Sequence, residues 1–184
     1  MSSPDRPHSK IFRTGLAGAA ASAAAAALFS HAENGHAARP LNAIAHIYDG
    51  GHPPAHNGDG RRNTLVGAAL HTAASIWWAT FYEGALSAQP RPRRWGTALA
   101  ISALAYVVDY YVVGKRFQPG FERYLSARGM FAVYAALAAG YALSGRGRAL
   151  VRERQHQREG AALPRRAREP QLPAQKARQL AANR

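Results

Sequence analysis

Apolar and polar positions fall into blocks along this 184-residue chain. Four stretches, at about 11–29, 64–88, 95–114 and 127–144, are dominated by apolar and small residues, and polar or turn-forming segments divide them. A helix of about 20 residues covers the ~30 Å hydrocarbon core of a bilayer. The pattern therefore predicts an all-α chain, an integral membrane four-helix bundle. Thr64 to Ala88 and Trp95 to Gly114 flank the short basic link Gln89-Pro90-Arg91-Pro92-Arg93-Arg94 and read as a transmembrane hairpin.

The first block follows Lys10-Ile11-Phe12-Arg13 and is mostly alanine, which is close to neutral for membrane insertion, so it is the weakest span by hydropathy. Two readings compete. One is a cleaved signal peptide with Ser30-His31-Ala32 as its small-x-small site. The other, which we favour, is a retained helix in which Gly15, Gly18, Ser22 and Ala26 let a second helix backbone approach closely.

Between the first two blocks, Pro40 to Tyr48 predicts a short helix with Leu41, Ile44, Ala45 and Tyr48 on one face. It is too short to span and would lie at the interface or tuck into the mouth of the bundle. Asp49-Gly50-Gly51-His52-Pro53-Pro54 ends it. After the hairpin, Pro119 suits the first turn of a helix, and Phe121, Tyr124 and Leu125 make an amphipathic turn. Residues 146–184 hold eleven Lys/Arg and no aromatic residue. This stretch predicts a few further turns of helix before Gly160 and disorder beyond Pro164, where too little apolar surface offsets the ordering entropy.

Composition changes the picture in three ways. The mean hydropathy of −0.30 averages over polar ends and apolar blocks and so hides the spans. The absence of cysteine excludes disulfides, iron–sulfur clusters and thiol catalysis. The formal net charge of +14 is chiefly an orientation signal. Four spans put Arg6, Lys10, Arg13, Arg91, Arg93, Arg94 and the tail on one side, seventeen Lys/Arg in all, against seven on the other. Positive charge marks the cytoplasmic face, which predicts both termini inside. The tail is also a candidate for contact with anionic lipid. Nucleic-acid binding is disfavoured, because no aromatic platform accompanies the arginines.

Polar groups inside the blocks carry the candidate chemistry. His71 and Asp109 lie almost equally far from the midpoint of the link, so an antiparallel hairpin puts them at nearly the same depth. His71, Ser75, Trp78 and Tyr82 share one helix face; Ser102, Tyr106, Asp109 and Tyr110 share another. The expected arrangement turns both faces inward, with Asp109 accepting a hydrogen bond from His71 and His46 capping the pair from the outer side. Functionally this is a proton-relay or transition-metal site; structurally it is a joint between helices, the reading we prefer. Glu83 is expected to form a structural ion pair with Arg91, Arg93, Arg94 or Arg13. Trp95 suits the interface, while Trp77 and Trp78 are expected to fill the bundle. Loop histidines His31, His36, His52 and His56 are a weaker metal candidate, since two prolines separate His52 from His56. The chain holds no phosphate loop, His-Glu-x-x-His or serine elbow.

Pro40-Leu41-Asn42-Ala43-Ile44-Ala45-His46, His71 through Glu83, and Ala103 through Lys115 followed by Gly120-Phe121-Glu122 resemble small four-helix inner-membrane proteins of proteobacteria that carry no assigned activity, and more loosely the YagU-like membrane proteins. The resemblance covers roughly residues 11–145 and implies location and helix count. It supplies no catalytic residue.

The expectation is thus a leader over 1–10, a four-helix transmembrane domain over 11–145 with a short interfacial helix, and a disordered basic tail over 146–184. The expected role is a non-enzymatic assembly or envelope component of the bacterial inner membrane, without a cofactor, that associates with itself or with other membrane proteins through small-residue helix faces. The alternative is a proton- or metal-linked transporter or sensor using His46, His71 and Asp109. A membrane-embedded enzyme ranks third.

Overall fold

The computed structural model describes residues 7–50 and 60–144. The leader ahead of Pro7, His52, His56 and the whole basic tail lie outside the described residues. The helices belong to the first of two units, Met1–Gly145, the second being Arg146–Arg184.

Among the described residues the fold is helical, without strands. Helix α1 is Pro7–Asn34, α2 Arg39–Ile44, α3 His46–Asp49, α4 Gly60–Ser87, α5 Arg94–Val107 and α6 Ala127–Leu143. Helix α5 runs on into a π-helical turn at Val108–Val112, and 3-10 turns at Lys115–Phe117 and Phe121–Arg123 lead into α6. Two helices are long and apolar enough to cross a membrane, His8–Asn34 and Arg94–Val112. Ala127–Leu143 is apolar but shorter. Helix α4 has 28 residues, yet His71, two tryptophans, threonines and Glu83 dilute its apolar character.

Side-chain size sets the packing. Helix α1 lies against both α4 and α6; α6 also contacts α5, and α4 and α5 touch less. The small residues of α1 make this possible. A Cβ on Gly140 would stand 2.6 Å from the carbonyl oxygen of Ala17 and 2.7 Å from Cα of Gly18, so α6 meets α1 backbone to backbone. Gly15 sits equally close to Ile76 of α4. The close approach expected of these small residues is therefore made within this chain, to α4 and to α6. The pairing follows from geometry: helices approach most closely where no Cβ intervenes, and close approach maximises dispersion contacts.

Tyr82 and Tyr141, both fully buried, pack with ring centroids 5.4 Å apart in a cluster with Trp78, Leu86 and Leu137. A second cluster gathers Ile44, Phe121, Leu125, Met130 and Val133. Trp77 departs from the expected pattern. It is 53% exposed, stacked edge-on against Trp78 and Phe81, because it lies one residue off the inward face that Trp78 occupies.

The segment expected as one short helix divides at Ala45 into α2 and α3. It tucks against α4, where Gly67 leaves room for the Leu41 carbonyl. Asn42 accepts a hydrogen bond from Thr64. Tyr48, expected on the apolar face, is instead 70% exposed with the Arg62 guanidinium above its ring. Pro119 precedes a 3-10 turn rather than opening an α-helix, since Gly120 at φ 82° turns the chain first. Helix α6 is capped by Ser126, whose hydroxyl accepts from the Gly129 amide and donates to Glu33 at the end of α1, while Glu33 also accepts from the Ser126 amide at 2.8 Å.

Arg62 of α4 reaches Asp49 of α3 in a bidentate pair at 3.0 and 3.3 Å. The hydrogen bond from Arg62 holds the Asp49 carboxyl below its ordinary value. A carboxyl lowered on folding contributes stability above its unfolded value, about 3.9, and loses it as pH falls through the lower folded one. Limited proteolysis around α3 is therefore expected to stay constant from pH 7 to pH 5 and to accelerate only below about 4. Asp49→Asn should abolish that pH dependence.

Candidate functional site

His71 and Asp109 line one cavity of about 440 Å³ among α1, α4, α5 and α6. Its polar lining comprises Ser22, His71, Ser75, Asp109 and Tyr134; exposed Trp77 and Phe117 also border it. The two ionisable groups, almost equally spaced from the basic link, thus share one space. The expected hydrogen bond between them is not formed. Each has a hydroxyl partner from another helix.

Ser22 donates to the Gly18 carbonyl at 2.8 Å, which uses its only proton. The 2.9 Å contact between Ser22 Oγ and His71 Nε2 is therefore donated by the imidazole, leaving Nδ1 as the ring's acceptor. Tyr134 of α6 donates to Asp109 Oδ2 at 2.8 Å. The rings of Tyr106 and Tyr110 pack on Tyr134 at 5.2 and 6.4 Å and steady it. The physical reason for the altered pairing is helix adjacency. The hairpin helices α4 and α5 touch little, whereas α1 and α6 lie beside them and reach the polar groups first.

Asp109 sits on the π turn. One extra residue per turn shifts the side chains that follow around the helix axis, and such turns often mark functional positions. The turn's hydrogen bond runs from the Val113 amide to the Val108 carbonyl at 2.9 Å.

His46 does not join the pair. It is buried in α3, and its Nδ1 donates to the Ala43 carbonyl, fastening its own segment. The three-residue polar cluster therefore reduces to His71 and Asp109, and among the described residues no group of three His, Cys, Asp or Glu is placed to hold a metal ion. His31 and His36 are exposed.

Glu83 also exchanges its expected partner. In place of an arginine it accepts a hydrogen bond from Thr14 of α1, which also touches Ser144 at 3.0 Å. Arg91, Arg93 and Arg94 are exposed beyond the helix end, while Thr14 is on the small-residue face that close packing presses against α4. Ser75 donates to the Gly15 carbonyl at 2.9 Å and its own carbonyl accepts from Tyr141 at 2.6 Å, tying α4 to α1 and α6.

Nothing in the sequence pattern singles out Ser22, Thr14 and Tyr134 as the polar partners. Tyr134 and Tyr141 stand seven residues apart, two helical turns, so their shared face was visible in the sequence. Which polar group each would meet depended on helix adjacency. Comparison with protein-family models, curated proteins and solved structures gives no match for this chain.

Proposed function

We propose that this chain is a multi-pass protein of the bacterial inner membrane, with four spans and both termini in the cytoplasm, acting as a non-enzymatic envelope component. Membership among the small four-helix inner-membrane proteins, with the looser YagU-like similarity, belongs to the same proposal, as does contact of the basic tail with anionic lipid. The supporting observation is an inverted distribution of side chains. Large apolar residues face outward on every long helix: Leu28 on α1, Leu65 and Phe81 on α4, Leu99 on α5 and Phe131 on α6. The buried positions between helices are largely alanine, glycine, serine, threonine and tyrosine. Water penalises that arrangement; lipid favours it, because only packing and hydrogen bonding hold helices together there.

Retention of α1 is part of the proposal, supported by Thr14, Ser22 and Glu33, which bond α4 and the start of α6. Alkaline extraction is expected to leave the protein in the membrane pellet. In this cysteine-free chain, Tyr48→Cys and Arg123→Cys should react with an impermeant maleimide on intact spheroplasts, and Ser9→Cys and Arg91→Cys only after lysis. Release into the soluble fraction, or labelling of Ser9→Cys from outside, overturns the reading.

A second reading, a proton-linked small transporter or sensor, is favoured by one observation: His71 and Asp109 share a cavity without neutralising each other. The leading reading expects His71→Ala and Asp109→Asn each to lower abundance, by the loss of about 1 kcal/mol of interhelical hydrogen bonding, with growth under acid or metal stress unchanged. Unchanged abundance together with a stress phenotype assigns the cavity to transport or sensing.

A further inference from the structure

A groove of about 810 Å³ runs along the outer surface between α5 and α6, separate in its lining from the His71 cavity except at Tyr134. Its two ends differ chemically. Leu99, Ala103 and Ala135 form one end. Tyr106, Tyr110, Tyr111 and Glu122 form the other, around the π turn and the 3-10 turn at Phe121–Arg123. Tyr106 packs on Tyr110 and Tyr111 at 5.3 and 6.0 Å, and Tyr111 leaves 73% of its surface open. Glu122 is the only ionisable carboxylate in the lining. Exposed Arg123 and Arg128 lie next in sequence to lining residues Glu122 and Ala127.

We infer that this groove holds an amine-headed glycerophospholipid of the surrounding bilayer, the ammonium against Glu122 and the tyrosine faces, the phosphate toward Arg123 and Arg128, and one acyl chain along Leu99 and Ala103. The inference rests on the membrane reading above. Three features argue for this occupant. A carboxylate beside several tyrosine rings is complementary to an ammonium, through ion pairing and cation–π attraction. Exposed Arg123, next to Glu122 in the chain, and Arg128, next to Ala127, are the cations available for the opposite half of a zwitterion, since guanidinium groups pair well with phosphate oxygens. The length also fits: Leu99 to Tyr111 spans about 18 Å of helix, close to the ~15 Å of one leaflet's hydrocarbon. Small residues make the groove, because Ala103 and Ala135 leave the inter-helix surface unfilled where larger side chains would close it. Ser102, donating to the Tyr134 carbonyl, fastens the two walls together.

The test uses the full chain reconstituted in vesicles of equal phosphatidylethanolamine and phosphatidylglycerol. The protein is then extracted, stripped of loosely held lipid, and its retained lipids are counted by mass spectrometry. Retained phosphatidylethanolamine is expected to exceed phosphatidylglycerol about fivefold, with Glu122→Gln and Tyr111→Ala both bringing the ratio toward one. Both positions are exposed, so neither change is expected to unfold the bundle, and an unchanged thermal transition verifies this. A preference for phosphatidylglycerol, no retained lipid, or a ratio insensitive to Glu122→Gln overturns the inference. Failure of the membrane reading shows separately, as a chain that alkaline extraction releases before any lipid is counted.

Discussion

Replacing Gly140 with leucine is expected to separate α6 from α1 and lower the stability of the bundle by about 3 kcal/mol. At this position the colliding atoms are backbone. The carbonyl carbon and oxygen of Ala17 and Cα of Gly18 would stand 2.6 to 2.8 Å from the new Cβ, before any further side-chain atom is counted. A flexible side chain could swing aside; a helix backbone can only translate. Moving α6 outward would also disturb the contact between Tyr134 and Asp109 and the one between Tyr141 and Ser75, which depend on the same helix position. Thermal unfolding in detergent, followed by the fluorescence of a fused reporter, should show a large downward shift. Gly84→Leu provides the control, because nothing lies within 4 Å of its Cβ direction. A Gly140→Leu protein as stable as the Gly84→Leu control would mean that α1 and α6 do not meet in this way.

The second large effect is expected at Tyr141. Its ring is fully buried against Tyr82, and its hydroxyl donates to the Ser75 carbonyl at 2.6 Å. Tyr141→Ala removes an aromatic ring from the centre of the bundle, and truncations of that size cost about 3–5 kcal/mol. Tyr141→Phe separates the two contributions. It keeps the ring and loses only the hydrogen bond, for a cost of about 1 kcal/mol. The expected order of thermal stability is wild type, then Tyr141→Phe, then Tyr141→Ala well below both. Equal losses for the two variants would mean that the hydroxyl, not the ring, holds the position.

Much of this architecture was legible in the residues. Runs of apolar positions located α4 and α6 to within a few residues, because a run of such residues between breakers has no better conformation than a helix. The small-residue spacing at Gly15, Gly18, Ser22 and Ala26 marked a close-packing face, and Gly35 at φ 75° ends α1 five residues beyond the expected limit. Periodicity also identified inward faces correctly: Ser75, Trp78 and Tyr82 are buried, and His71 lines the cavity. Trp77 shows the precision required, since one residue of helix is about 100° of rotation and separates a buried ring from an exposed one.

The candidate site was legible only in part. Equal spacing from the basic link placed His71 and Asp109 at one depth, and both line the same cavity. It could not supply their partners. His71 meets Ser22, Asp109 meets Tyr134 and Glu83 meets Thr14, in each case a hydroxyl on a helix outside the hairpin. The π turn at Val108–Val112 was equally invisible, because its residues are compatible with an ordinary α-helix and only the packing selects the wider turn.

The sequence by itself determined where the long helices lie and most of the inward stripe of α4, since these follow from local hydrogen bonding and the periodic placement of apolar side chains; it did not fix the ends of α1, the break at Ala45 or the π turn. Tertiary structure decided which stripes meet. That choice depends on where glycine and alanine let backbones approach, a property of pairs of helices, and it assigned each buried polar group its hydroxyl.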